Sequence, residues 1–125
     1  MTFSSKTLRV LIVDDHELTR HTLQLALSMQ SCIGDIAVAN NGKEALAQVN
    51  KHEPDVVVMD LHMPIMDGWA ASSAIKTHHP HIKIVAYSAA DGGKSQAIAN
   101  GAVIDAFCDK GACTKSLLEA IKSII

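Results

Sequence analysis

The stretch "PDVVVMDLHMP", residues 54 to 64, joins a run of apolar β-formers to an acid, Asp60, with a Met-Pro turn just beyond it. The run Val56 to Met59 is long enough for a buried strand and too short for a helix. An aspartate at the end of a strand can cap a helix, form a turn or act as a nucleophile. These eleven residues leave the three roles open, so the role of Asp60 depends on the rest of the chain.

The bulk composition predicts one cytoplasmic domain spanning residues 1–125. Of the 125 residues, 48% are apolar but only 3% are aromatic, so the core is expected to be mainly aliphatic. The net charge of −2 and the absence of a Lys/Arg run argue against direct nucleic-acid binding. No apolar run approaches the roughly 20 residues that a membrane-spanning helix needs. Three cysteines without a CxxC pair, in a chain with no signal peptide, favour reduced thiols in the cytoplasm.

Short apolar runs alternate with segments of helical periodicity along the whole chain. The predicted strands are "LRVLIV" (8–13), "DIAVA" (35–39), "VVVM" (56–59), "IKIVAYS" (82–88) and "DAFCDK" (105–110). A predicted helix follows each strand, including "GGKSQAIANG" (92–101) and "TKSLLEAIKSII" (114–125). Five strand–helix units in sequence predict an α/β domain with a doubly wound parallel sheet and helices on both faces.

The helices have recognisable apolar faces and caps. In the first helix, the residues that recur at helical spacing are Leu18, Thr22, Leu25, Ala26 and Met29, and that helix is expected to end near Gly34. Asn40 or Asn41 is the expected N-cap of the second helix. The apolar face predicted for the last helix consists of Leu117, Leu118, Ile121, Ile124 and Ile125.

Polar residues stand directly after four of the five predicted strands. Asp14 and Asp15 follow the first strand, Asp60 the third, Ser88 the fourth and Lys110 the fifth. Because the carboxyl ends of parallel strands share one edge of a sheet, we expect these side chains to converge where such folds bind ligands. The second strand contributes no such residue, which fits an outer position in the sheet.

This set of residue types suits phosphoryl chemistry at a cation. Three carboxylates repel one another, and a bound cation relieves that repulsion. An oxygen-rich cluster with few protein ligands suits Mg²⁺, and a nearby Lys and hydroxyl are parts for stabilising a phosphoryl group. The chain lacks a GxxxxGK[ST] loop, whereas a carboxylate can itself accept a phosphoryl group, so Asp60 is the predicted acceptor. Taken alone, Asp14 and Asp15 are better interpreted as N-caps of the helix that starts near Glu17, and the site interpretation rests on Asp60 and Lys110 at matching strand ends.

Four stretches together resemble the receiver domain of two-component response regulators, over nearly the whole chain. They are "VLIVDDHELTR", "VVVMDLHMPIMDG", "VAYSAA" and "DAFCDKGA". The resemblance implies a CheY-like, flavodoxin-like fold with five parallel strands in the order 2-1-3-4-5 and five helices. The stretch "DDHELTR" is similar to receivers that precede a LuxR-type DNA-binding domain.

The resemblance also implies roles for individual residues. Asp60 would be phosphorylated, and Mg²⁺ would be held by Asp15, Asp60 and the backbone carbonyl of His62, with Asp14 acting mainly through a metal-bound water. Lys110 would pair with the phosphoryl oxygens.

Two further residues would carry the signal away from the site. Ser88 would donate its hydroxyl to a phosphoryl oxygen, and Phe107 would be the switch aromatic that turns inward. The surface of the fourth predicted helix, fifth strand and fifth helix would then be rebuilt for a partner. The phosphodonor would be a histidine kinase or a phosphotransfer protein of a phosphorelay, and the only reactions catalysed would be self-phosphorylation and dephosphorylation.

Two other functions are compatible with a strand-terminal aspartate. A phosphohydrolase of haloacid-dehalogenase type would want a second Asp where His62 stands, and a pseudo-receiver would bind partners without being phosphorylated. No output domain is present in the chain, so it either acts alone by docking or is the front piece of a longer regulator. The ending "AIKSII", without a glycine cap, favours the longer regulator.

Overall fold

A computed structural model describes residues 7–61, 66, 68–88, 104–109 and 114–125, with only the backbone of Ser88 included. The elements are β1 (Leu8–Val13), α1 (Glu17–Ser28), β2 (Ile33–Ala39), α2 (Gly42–His52), β3 (Val56–Asp60), α3 (Gly68–His78), β4 (Lys83–Ser88), β5 (Ala106–Asp109) and α4 (Thr114–Ser123). The helix predicted over residues 92–101 lies outside the described residues, so the C-terminal helix is labelled α4.

The five strands form one parallel sheet in the order β2-β1-β3-β4-β5, which confirms the predicted fold. The strand register decides which residues meet at the carboxyl edge. Val13 pairs with Met59, so Asp14 and Asp60, the next residues, stand at the same level of neighbouring strands. Asp60 in turn pairs with Tyr87 of β4.

Successive side chains along each strand point to opposite faces of the sheet, and they pack into two separate hydrophobic cores, one on each face. Even-numbered residues of β1, such as Val10 and Ile12, pack with α1 and α4. Odd-numbered residues, such as Leu11 and Val13, pack with α2 and α3. Because β1 and β3 are apolar on both faces, they read as continuous hydrophobic runs, as expected for a central parallel strand covered by helices.

The boundaries of α2 follow from its capping residues. Asn41 is the N-cap, and its side chain accepts a hydrogen bond from the backbone N–H of Glu44 at 2.8 Å. The Glu44 carboxylate accepts a hydrogen bond from the backbone N–H of Asn40 at 3.0 Å. The two hydrogen bonds run in opposite directions between the capping residues and the first turn, as in a capping box, and fix the N-terminus of α2. At the other end, Glu53 adopts a left-handed conformation with φ 46°, and Pro54 follows. The prediction of an Asn cap is therefore confirmed, at Asn41.

The predicted apolar face of α1 is wrong. Leu18, Leu25 and Met29 are 79%, 66% and 77% exposed, whereas Leu23 and Leu27 are buried against the sheet. At about 100° per residue the two sets lie on opposite sides of the helix, and both have helical spacing, so periodicity alone could not choose between them.

Several boundaries also differ from those predicted, most of them by one or two residues. The helix α1 ends at Ser28 rather than near Gly34, and β2 already begins at Ile33. At the C-terminus, Leu117 and Ile121 are buried, but Ile125 lies beyond the end of α4 and is 61% exposed. The described residues contain no helix with the length and hydropathy needed to cross a membrane.

Candidate functional site

Asp60 ends β3 at the centre of the sheet's carboxyl edge, and it is only 2% exposed. The helix α3 begins against its backbone, and the N–H of Gly68 donates to the carbonyl of Leu61 at 3.2 Å. A Cβ at position 68 would collide with the Asp60 carbonyl oxygen and lie 2.7 Å from the Cα of Leu61. Glycine at position 68 therefore allows the close approach that holds α3 against the end of β3.

Asp14 follows β1 and is 1% exposed. Its N–H donates to the carbonyl of Ala39 at 3.1 Å, and its carbonyl accepts a hydrogen bond from the guanidinium of Arg20 at 2.8 Å. Its side-chain Oδ1 accepts a hydrogen bond from the N–H of His16 at 2.8 Å, which forms a tight turn before α1. The N-cap of α1 is His16, so neither Asp14 nor Asp15 takes the capping position considered as an alternative.

Asp14, Asp15, His16 and Asp60 form a compact cluster at this edge. One ligand atom from each residue lies within 4.8 Å of the others. The Nδ1 of His16 is 3.1 Å from Oδ1 of Asp15 and 3.4 Å from Oδ1 of Asp14. Asp14 and Asp60 form the buried side of the cluster, while Asp15 (27% exposed) and His16 (69% exposed) form its solvent side.

The donor set of this cluster fits a divalent metal ion. At an effective dielectric constant of roughly 20, two carboxylates at the 4.8 Å limit of this cluster repel each other by about 3.5 kcal/mol, and closer ones by more. Oδ1 of Asp15 is itself shielded from solvent, and among the described residues its polar neighbour is the His16 imidazole at 3.1 Å, with no hydrogen bond donated to it. A cation among these oxygens would offset the repulsion and use the unfilled coordination capacity, so these residues can hold a metal ion.

His16 was missing from the predicted site set. The signal in the sequence was its position directly after an acidic pair at a strand end, where a parallel sheet gathers its ligands. Its imidazole joins the acids because the turn closed by Asp14 brings position 16 back over them.

The other predicted site residues are described in part. The backbone of Ser88 ends β4 and pairs with Asp109, the residue before Lys110 in the chain. Phe107 is half-buried on β5 and pairs with Ala86. Lys110 and His62 lie outside the described residues.

Comparisons with known proteins agree on one family. Residues 10–122 match the model of the response regulator receiver domain. The response regulator protein VraR of Staphylococcus aureus is 35% identical over 116 residues, which is 93% of this chain and 56% of VraR. The chain thus spans about half the length of the curated relatives that it matches.

Solved structures support the same assignment. The response regulator domain of Thermotoga maritima CheB superposes with a TM-score of 0.82 at 27% identity, covering 95% of this chain and 96% of that one. A LuxR-family two-component response regulator from Aurantimonas sp. superposes with a TM-score of 0.86 at 26% identity, covering 95% and 85%. This LuxR-family regulator is consistent with the similarity of "DDHELTR" (14–20) to receivers that precede a LuxR-type domain.

Proposed function

The chain belongs to the response regulator receiver domain family, and from that membership we propose that it is a signalling switch in which Asp60 accepts a phosphoryl group. The observation that carries the proposal is the cluster of Asp14, Asp15 and Asp60 at the carboxyl edge of the sheet. A switch of this kind catalyses only its own phosphorylation and dephosphorylation.

The transfer is a displacement at phosphorus. A carboxylate oxygen of Asp60 forms the new P–O bond as the P–N bond of a phosphohistidine on a histidine kinase or phosphotransfer protein breaks, giving an acyl phosphate. Asp60 is suited to this role because its backbone is fixed between β1 and β4 in the sheet. The N-terminus of α3 lies beside the Asp60 backbone, and its positive dipole end favours added negative charge there.

We assign the cation of this site as Mg²⁺. Asp14, Asp15 and Asp60 would hold it, with the backbone carbonyl of His62 as a further oxygen ligand. When bound, the ion supplies positive charge that offsets the carboxylates and the incoming phosphoryl oxygens. The support is the oxygen-rich donor set, two members of which are already buried and ordered by the fold.

Ser88 and Lys110 are proposed to hold the phosphoryl group. The register supports this assignment, because β4 lies next to β3 and Ser88 is one residue beyond Tyr87, the partner of Asp60. Lys110 follows Asp109, the partner of Ser88, on the next strand. Charge-assisted hydrogen bonds from an ammonium and a hydroxyl would bias the position of Phe107, and so the surface around β5.

The output is proposed to be read by a second protein or by a covalently linked output domain. The length of VraR relative to this chain, and the LuxR-family regulator among the similar structures, support the linked arrangement. In either case residues 1–125 would act as one receiver domain in the cytoplasm.

The test is phosphate uptake from acetyl phosphate in the presence of Mg²⁺. We expect wild-type protein to be labelled and Asp60→Asn to remain unlabelled, because the amide cannot form the acyl phosphate. Asp35→Asn is the matched control, since it removes an exposed aspartate of β2 outside the cluster. Equal uptake by Asp60→Asn would reject the assignment, and no uptake by wild type would support a pseudo-receiver.

A further inference from the structure

We propose that His16 is a fourth ligand of the cation site and that its imidazole makes the site favour Mn²⁺ over Mg²⁺. The inference rests on the proposed function only in placing a divalent cation among the carboxylates of Asp14, Asp15 and Asp60. It does not depend on whether Asp60 is phosphorylated.

The distances around His16 match those between ligands of one ion. Two ligand atoms that each lie about 2.1 Å from a six-coordinate ion are about 3 Å apart when adjacent and about 4.2 Å apart when opposite. The Nδ1 of His16 is 3.1 Å from Asp15 Oδ1 and 3.4 Å from Asp14 Oδ1, and the whole set spans at most 4.8 Å. The His16 nitrogen therefore has the spacing of an adjacent ligand to both carboxylates. The 4.8 Å limit of the whole set exceeds the distance between opposite ligands by about 0.6 Å, so binding of an ion would draw the four residues slightly closer together.

The backbone holds His16 in place for this contact. Its N–H donates to Asp14 Oδ1 at 2.8 Å, and its carbonyl accepts from the N–H of Arg20 at 3.0 Å, in the first turn of α1. The imidazole is 69% exposed, so it lies on the solvent side of a cluster whose other side consists of buried Asp14 and Asp60. An ion entering from solvent would meet His16 and Asp15 first.

The imidazole of His16 would give up few other interactions on binding a metal ion. Within the part of the chain that the structure describes, its polar contacts are the two carboxylates. A cation bound to the same oxygens would replace the contact that the ring makes with them. Imidazole nitrogen is a good ligand for first-row transition metals, whereas Mg²⁺ prefers oxygen. Mn²⁺ accepts the same oxygen-rich octahedral set as Mg²⁺ and, as a first-row transition metal, gains more than Mg²⁺ from a nitrogen ligand, so we expect the site to bind Mn²⁺ in preference to Mg²⁺.

The test measures binding of Mn²⁺ and Mg²⁺ to the purified chain, without phosphodonor. Free Mn²⁺ is followed by electron paramagnetic resonance, and Mg²⁺ affinity by its competition against Mn²⁺. The variants are His16→Ala and the control His21→Ala, which removes an exposed imidazole within α1. Asp60→Asn shows whether the ion occupies this cluster. The electron spin echo of bound Mn²⁺ reports directly on nitrogen ligation.

We expect His16→Ala to lose about tenfold in Mn²⁺ affinity and less than about threefold in Mg²⁺ affinity. Nitrogen modulation of the spin echo should be present in wild type and His21→Ala and absent in His16→Ala. Equal losses for both ions, or bound Mn²⁺ without nitrogen modulation, would overturn the proposal. Tighter binding of both ions by His16→Ala would also overturn it, because His16 would then act as a competing cation.

Failure of this inference is distinguishable from failure of the proposed function. If Mn²⁺ binds through His16 but the wild type takes up no phosphate, the ligand assignment stands and the phosphoacceptor assignment falls. Phosphate uptake with no effect of His16→Ala on the Mn²⁺/Mg²⁺ affinity ratio would give the reverse result.

Discussion

Replacing Gly68 with Ala should destabilise the protein and weaken its cation site together. The added Cβ would collide with the Asp60 carbonyl oxygen and lie 2.7 Å from the Cα of Leu61 and 3.0 Å from the carbonyl carbon of Asp60. All three atoms belong to the backbone, so relief requires α3 and the end of β3 to move apart. Overpacking of this kind costs about 1–3 kcal/mol, against a gain of up to about 1 kcal/mol from the better helix propensity of Ala.

We therefore expect Gly68→Ala to lower the free energy of unfolding by about 1–2 kcal/mol. Urea denaturation followed by the fluorescence of Trp69, the next residue and the only tryptophan, measures this loss. Gly34→Ala is the matched control, because its Cβ would meet the exposed Thr7, at 2.6 Å from Oγ1 and 3.0 Å from Cβ. These are side-chain atoms of an exposed residue that precedes β1, so they can shift more easily than the backbone atoms around Gly68. A Gly68→Ala variant as stable as wild type, with unchanged Mg²⁺ affinity, would refute the close-approach argument.

Two further substitutions test the packing of α1 and the end of α2. Leu27→Ala should lower the free energy of unfolding by about 2–5 kcal/mol because Leu27 is fully buried, whereas Leu25→Ala, on the exposed face, should change it by less than about 0.5 kcal/mol. Similar losses in urea denaturation of both variants would contradict the face assigned to α1. Glu53→Gly should raise the free energy of unfolding by about 1 kcal/mol, since φ is 46° at this position and glycine adopts that conformation without strain. A loss of stability in thermal denaturation of this variant would instead mean that the Glu53 side chain outweighs the strain.

The sheet could be predicted from the sequence because each strand is an apolar run with a clear end. The run Val56 to Met59 is buried on both faces of the sheet. Few structural elements other than a central parallel strand have such a short, continuously apolar sequence. The start of β2 was missed because Gly34 reads as a helix end, whereas the chain already pairs with β1 at Ile33.

The apolar face of α1 could not be derived from periodicity. Leu18 and Leu25 share one side of the helix, and Leu23 and Leu27 share the other, so the choice depends on the fit to Val10 and the other side chains of the sheet. Tertiary packing determines which face of α1 is buried, and the local sequence of the helix does not specify that face.

The acidic part of the site followed from one geometric rule, that strand ends of a parallel sheet share an edge. Asp14 and Asp60 meet because Val13 and Met59 are paired, and Asp15 follows in the same turn. The place of His16 in the site could not be predicted from strand order alone, because its contact with the acids depends on a turn closed by the Asp14 side chain. The roles of Ser88 and Lys110 stay predictions.

The most direct test of the central claim is to locate the phosphoryl group on the chain. After incubation with acetyl phosphate and Mg²⁺, borohydride reduction marks an acyl phosphate, and peptide mass spectrometry identifies the residue that carried it. We predict the mark at Asp60 alone. A mark at Asp14 or Asp15, or a phosphoryl group on a histidine with Asp60 unmodified, would contradict the account.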